Sequence, residues 1–399
     1  MIRHELAVIG LGPLGAHALR SAAHRGVDAV GLEARPSPGH EDGAAGGWTR
    51  MFRLAYKEGA EWVPALRESR RIWQDLAARA PQPLLHPCGA LTIGRLRHPD
   101  LAATVASARA AGVEIEVLSA GAAAERWPQH RLDHDEVAVF DPAGALLRAP
   151  VAVRATVDDA RRHGATVCTG APVTGIEAGS GGVVVHRAGD DPIRALRVLV
   201  AVGAWMSELI PALAGETERR RAVSHWFSPA AAPTAAPGVT APEYFPAGLR
   251  RGGGDGDLSF FPSVDERGVK VNLHARKQVL TRPERTDLRI EDALSARVVA
   301  SVGRHLPALD PRWRHREAYV ESYTPDLRPL LGPVAGMSGV AVLGGGSGQA
   351  FKSAPALGRI AVDLMLADPP RAGDRPLTRS PGLAATTRPA PPPLREDQT

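Results

Sequence analysis

Three glycines and one acid set the first chemical expectation. Leu6-Ala-Val-Ile-Gly10 runs into Gly10-Leu-Gly12-Pro13-Leu14-Gly15, and Glu33 closes the next apolar run, Val27 to Leu32. Gly10 permits a tight turn, Gly12 lets the main chain approach a pyrophosphate, and Gly15 lets a helix pack on a strand. The helix N-terminus adds N–H groups and the positive end of its dipole. Glu33 would accept hydrogen bonds from an adenosine ribose. Strand before, helix after and acid about twenty residues on predict an ADP-containing cofactor. Four further segments carry reactive side chains. The small-residue loop from His40 to Gly59 exposes Arg50 and Arg53 at a cleft, and Gly203-Ala-Trp205 ends an apolar run. Period-two alternation in Gly268 to His274 puts Lys270, Asn272 and His274 on one strand face. Last come Glu321-Ser-Tyr323-Thr324-Pro-Asp326 and the glycine loop Gly344 to Gly348, followed by Gln349, Phe351 and Lys352. Because Lys352 follows Phe351 rather than glycine, that loop is not a phosphate P-loop.

The elements that must position these residues are legible in the pattern. With 399 residues, 44% hydrophobic and 23% charged, the chain is long enough for two cores. The predicted class is α/β (α+β), a Rossmann-like cofactor domain with a second, mainly antiparallel β-sheet substrate domain. A helix is expected over Gly59 to Ala80, where Trp62, Leu66, Trp73 and Leu76 recur at helical spacing, and another over Val151 to His163. The apolar Val198 to Val202 reads as a buried parallel strand delivering its end to a site. Alternating segments between 221 and 320, such as Leu258 to Phe261, read as antiparallel sheet. The expected division is 1–85, 145–220 and 321–367 for the cofactor domain, 86–144 and 221–320 for the substrate domain, and a disordered Pro-rich tail over 368–399.

Composition also excludes. The net charge of +5 is interspersed, and Arg219-Arg-Arg221 is too short for a nucleic-acid arm. Cys88 and Cys168 sit in strand-like contexts as free thiols, with no disulfide framework and no Fe–S or zinc spacing. His130 and His134 stand four apart in an expected surface loop, too little for a metal site. No apolar run reaches the roughly 18 residues of a membrane span. No membrane partner is expected, and a cytoplasmic monomer or homodimer is.

In these segments the chain resembles the amine-oxidising flavoproteins of the monomeric sarcosine oxidase and N-methyltryptophan oxidase type, within the glycine and D-amino acid oxidase fold, from Met1 to about Leu366. The resemblance implies FAD, and oxidation of a C–N bond alpha to a carboxylate with O2 reduced to hydrogen peroxide. Residue by residue it implies that Arg53 and Lys352 bind the substrate carboxylate, as a planar fork and a point charge suit that anion. It implies that Lys270 lies near flavin N5 and assists oxygen, and that His274 is an active-site histidine. FAD contacts fall on Gly10, Gly12, Pro13, Leu14, Gly15, Glu33, Ala34, Arg35, Ala45, Thr49, Arg50, Val173, Gly203, Trp205, Thr324, Gly346, Gly348, Gln349, Phe351 and Lys352. Substrate contacts fall on Arg53, Tyr56, Phe261, Gln349 and Lys352. Trp48, Trp226 and Phe261 are candidate pocket walls, although large aromatics are more often simply core.

Two positions depart from that pattern. Glu321 stands where such proteins carry the cysteine that attaches FAD, which predicts noncovalent FAD, although a histidine link stays open. Gln349 replaces a common histidine, keeping hydrogen bonds but losing a titratable group. The expected reaction is hydride transfer from the carbon bearing a neutral amine to flavin, giving an imine; the amine itself is not identified. The alternatives are an FAD dehydrogenase that uses another acceptor, and a non-catalytic or NAD-dependent dinucleotide-binding protein.

Overall fold

In the computed structural model, the described residues are 4–231, 238–252, 256–274, 277–281, 288–369, 371, 373–374 and 377–382. The apolar runs flanking the first glycines form two parallel strands, His4–Ile9 and Ala29–Glu33, joined by the helix Pro13–Ala23. On the other side of the first strand lies Asp190–Val200, whose far edge pairs in parallel with Val340–Gly344. Thr166–Thr169 completes the parallel core beside Ala29–Glu33. These strands are buried on both faces, which is why they read as continuous apolar runs rather than alternating ones. Their C-terminal ends all point to one side, at Gly10, Glu33, Ala201 and Gly344.

A nine-stranded sheet, mainly antiparallel, stands beside this one. Its central ladder pairs Leu258 with Leu273, Ser259 with Asn272 and Phe261 with Lys270. Strands from the 86–144 stretch, Ala90–Gly94, Glu116–Ser119 and Val137–Asp141, join the same sheet through the pairing of Ala90–Gly94 with Ala247–Arg250. A cluster including Phe227, Phe245, Phe260 and Val302 fills its outer core.

The helix from 59 starts later than its periodicity suggests. Gly59 sits at φ 130°, a single 3-10 turn spans Ala60–Trp62, and the α-helix runs Val63–Arg79 with Pro64 in its first turn. The other expected helix runs Ala149–Arg162. Boundaries at 220/221 and 320/321 cut through elements, because Glu218–Pro229 and Leu309–Tyr323 form one continuous antiparallel ribbon. The segment from 368 is not wholly a detached tail. Leu377 is buried, and Asp374 and Arg379 make ion pairs to Arg359 and Glu216, so its described part packs on the fold; 383–399 lies outside the described residues. His130 is not in a surface loop either: its ring packs against Phe245 and Phe260. No described helix is long and apolar enough to cross a membrane.

Candidate active site

Two cavities meet between the sheets. The first, about 380 Å³, opens at the C-terminal ends of the parallel strands. Gly10, Gly12, Pro13, Leu14, Glu33, Ala34, Arg35, Ala45, Arg50, Val173, Gly203 and Trp205 line it, with Gly346, Gly348, Gln349 and Phe351 from the glycine loop. The backbone explains the glycines. Gly10 turns at φ 87°, a Cβ on Gly15 would strike the Gly10 carbonyl, and a Cβ on Gly12 would meet nothing within 4 Å and point into open space. Gly15 therefore works by packing, not by lining the cavity. Glu33 accepts from the Leu11 N–H at 2.9 Å and the Arg35 N–H at 3.0 Å, which fixes its carboxylate at the strand end. An elongated cavity with an open glycine cradle, a helix N-terminus and a terminal acid fits a dinucleotide such as FAD. Thr324 is one layer behind: its hydroxyl donates to the Arg328 carbonyl, its N–H to Ser347 Oγ, and it supports the loop without lining the cavity.

The second cavity, about 500 Å³, lies under the antiparallel sheet and shares Arg50, Glu321, Gly348, Gln349 and Phe351 with the first. Thr49, Arg53, Tyr56, Phe261, Lys270, His274 and Lys352 line it; Trp48 and Trp226 do not. Trp48 donates to Glu317 and stacks under Arg267, while Trp226 is buried against His315.

Arg53 and Lys352 converge from two elements. Arg53 follows the short strand Thr49–Phe52, and Lys352 precedes the helix Ala354–Leu366. Both are buried cations, and neither has an ion-pair partner within 4 Å among the described residues. Lys352 Nζ donates to the Gln349 carbonyl at 2.9 Å and to Tyr56 Oη at 3.4 Å, while Tyr56 Oη donates to Gln349 Oε1 at 2.6 Å. Trp73 Nε1 holds the Lys352 carbonyl at 3.0 Å, and its ring stacks on Phe351, which locks the segment. Burial first, and Arg53 second, pull the Lys352 ammonium down to about 7. Arg53 Nε has no hydrogen-bond partner among the described residues. A buried unsatisfied donor is costly, so this cation is built for a partner.

In the same cavity Lys270 is buried, donating to the carbonyls of Gly47 at 2.8 Å and Thr49 at 2.6 Å, with Nζ 3.9 Å over the Phe261 ring. Burial, then Arg50, pushes its pKa well below the ordinary lysine value; the carbonyls and the ring face work for the cation. His274 is exposed at the open cavity, and desolvation by the surrounding protein, then Arg251, lowers its pKa below the ordinary histidine value, so it is neutral at pH 7. Its Nε2 lies 3.0 Å from Ser259 Oγ.

Glu321 is part of a cluster that residue spacing does not reveal. Lys277 Nζ lies 2.5 Å from Glu321 Oε2 and 2.6 Å from Tyr323 Oη, which donates to the same carboxylate at 3.0 Å. Burial opposes ionisation, but Lys277 and Arg50 hold Glu321 at about 2. The cavity thus keeps a neutralised carboxylate at the junction with the first. Among the described residues the one group close enough to hold a metal is His24, Asp159 and His163, and Arg20, Arg79 and Arg162 already crowd that carboxylate.

The geometry would suit a dinucleotide laid along the parallel sheet with one end facing the cation-lined second cavity. The chain matches the family DAO, FAD dependent oxidoreductase, over residues 5–364, and it belongs to that family. It is 27% identical over 370 residues to an N-methyl-L-tryptophan oxidase of Salmonella arizonae, covering 92% of this chain and 96% of that protein. It is 29% identical over 366 residues to a monomeric sarcosine oxidase of Streptomyces avermitilis, covering 91% and 94%. Among solved structures it superposes on NikD, described as an unusual amino acid oxidase essential for nikkomycin biosynthesis. That match has a TM-score of 0.80 and 22% identity, covering 96% of this chain and 99% of that one.

Proposed function

We propose that this protein is an FAD-dependent oxidase of carboxylate-bearing amines, such as secondary, cyclic or N-methyl amino acids, and that it releases hydrogen peroxide. One observation carries the reading: two buried cations, Arg53 and Lys352, neither in an ion pair within 4 Å among the described residues, line a cavity that joins a dinucleotide cradle. The names of the relatives, oxidases of N-methyltryptophan and of sarcosine, agree with it. Bound FAD would accept a hydride from the carbon bearing the amine and pass the electrons to O2, giving imine and hydrogen peroxide. The chain's own residues do the rest. Arg53 and Lys352 hold the carboxylate and so orient that carbon, Tyr56 and Gln349 fix Lys352, and Phe261 walls the cavity. Lys270 supplies positive charge where negative charge develops on oxygen. His274, neutral, offers an acceptor or donor to the amine without adding a repelling charge.

The test is a pair of substrates that differ only at the acid. N-methyl amino acids are expected to yield peroxide, and their carboxamides to yield at least about a hundredfold less at equal concentration. Equal peroxide from both would remove the carboxylate reading. Lys352 makes binding pH-dependent. The ammonium is present below about 7 and is lost as pH rises, so the Kd of a simple carboxylate, acetate, should increase above pH 7. Lys352→Met should flatten that profile.

FAD is held without a covalent bond in this reading. Glu321 cannot form a thioether, neither cysteine lines either cavity, and burial holds Cys88 up at about 11. Acid precipitation should move all flavin colour into the supernatant; colour in the pellet would point to a link such as one through His40, which lines the first cavity.

A further inference from the structure

The turn that carries Arg53 has no ladder of its own. The strand Thr49–Phe52 stops at the pairing of Phe52 with Ala145, and the next residues, Leu54 and Ala55, are buried. Their N–H groups therefore need an acceptor from elsewhere. Asp141, the last residue of Val137–Asp141 in the nine-stranded sheet, supplies it. Its Oδ2 accepts from the Leu54 N–H at 2.6 Å and the Ala55 N–H at 2.9 Å. Its Oδ1 accepts from the Ala143 N–H at 2.9 Å, within the Asp141-Pro-Ala-Gly144 turn. The carboxylate is 2% exposed and has no ion-pair partner within 4 Å among the described residues. One oxygen is thus fixed by its own turn, and the other is free to fix a second turn.

Charge works in the same direction. Arg53 is the cation whose field favours the ionised Asp141, and Asp141 in turn favours the guanidinium of Arg53. Burial raises the Asp141 pKa, and the three N–H donors offset part of that. A carboxylate satisfied by three backbone donors is a stiff anchor, because moving the turn would strand two buried N–H groups.

We propose that Asp141 is the positioning residue for substrate recognition: by holding Leu54 and Ala55 it fixes the direction in which Arg53 enters the cavity. This rests on the reading of Arg53 and Lys352 as the carboxylate site. Asparagine at 141 keeps the shape but has a single acceptor oxygen, so either the Arg53 turn or the Ala143 turn faces an amide NH2 instead.

The experiment measures acetate binding to the flavin-loaded protein, by perturbation of the visible flavin bands, in wild type, Asp141→Asn, Arg53→Ala and the double variant. Asp141→Asn should weaken acetate about tenfold and raise the amine KM similarly, with a smaller change in kcat and an unchanged flavin-to-protein ratio. In the Arg53→Ala background the same substitution should change acetate affinity no further, because the two residues act as one unit. Wild-type affinity in Asp141→Asn beside a weakened Arg53→Ala overturns the role of Asp141. So does an equal, additive loss in both backgrounds, or a variant that loses flavin, since each describes a merely structural residue. Wild-type affinity in Arg53→Ala would instead overturn the carboxylate pair itself, and Asp141's role with it.

Discussion

Lys270→Met is expected to slow reoxidation of the reduced enzyme by O2 by about 10²–10³-fold, the loss typical of removing one preorganised group at a developing negative charge. Reduction by the amine should change far less. The asymmetry follows from geometry. Lys270 reaches from the strand Val269–His274 to the carbonyls of Gly47 and Thr49, and makes no hydrogen bond to Arg53 or Lys352. Methionine preserves the buried volume and the contact with Phe261 while deleting the charge. Stopped-flow measurement of the two half-reactions separates the effects. Equal losses in both would show that Lys270 shapes the cavity rather than assisting oxygen.

Arg53→Ala should lower kcat/KM about a hundredfold or more, mainly through KM, while flavin content stays near wild type. Charge-assisted hydrogen bonds to a buried group contribute about 1.5–3 kcal/mol, and the bidentate fork adds orientation. Flavin content is spared because Arg53 lines the second cavity and not the first. Titrating substrate against a flavin-normalised enzyme gives the split. Loss of flavin in step with activity would mean that the guanidinium serves the fold and not the substrate.

What the sequence made legible follows from how local each signal is. Gly10, Gly12, Gly15 and Glu33 were readable because one βαβ unit places them within about thirty residues, and the buried parallel strands because continuous apolar runs mark them. Alternation put Lys270 and Asn272 on one face, and the register of Ser259 opposite Asn272 extends that face to a second strand. Long-range pairings were not legible. The contact of Lys277 with Glu321 and Tyr323 spans more than forty residues and depends on how the ribbon Leu309–Tyr323 folds back. Asp141 was visible only as part of a turn, since its hydrogen bonds to Leu54 and Ala55 cross from the nine-stranded sheet to the turn after Thr49–Phe52. Thr324 and Gly15 matched motifs correctly placed in the chain, yet packing sets both behind the cavity wall, a distinction that side-chain spacing does not carry.

Whether the protein is an amine oxidase is decided by adding an N-methyl amino acid to the purified protein without oxygen, watching the visible flavin bands, and then admitting air. Bleaching on addition, return of the bands in air, and one hydrogen peroxide for each amine consumed are expected of an amine oxidase. A colourless protein that FAD cannot reconstitute, or a flavin that no carboxylate-bearing amine bleaches, would contradict it; bleaching with no return in air would instead assign the electrons to an acceptor other than O2.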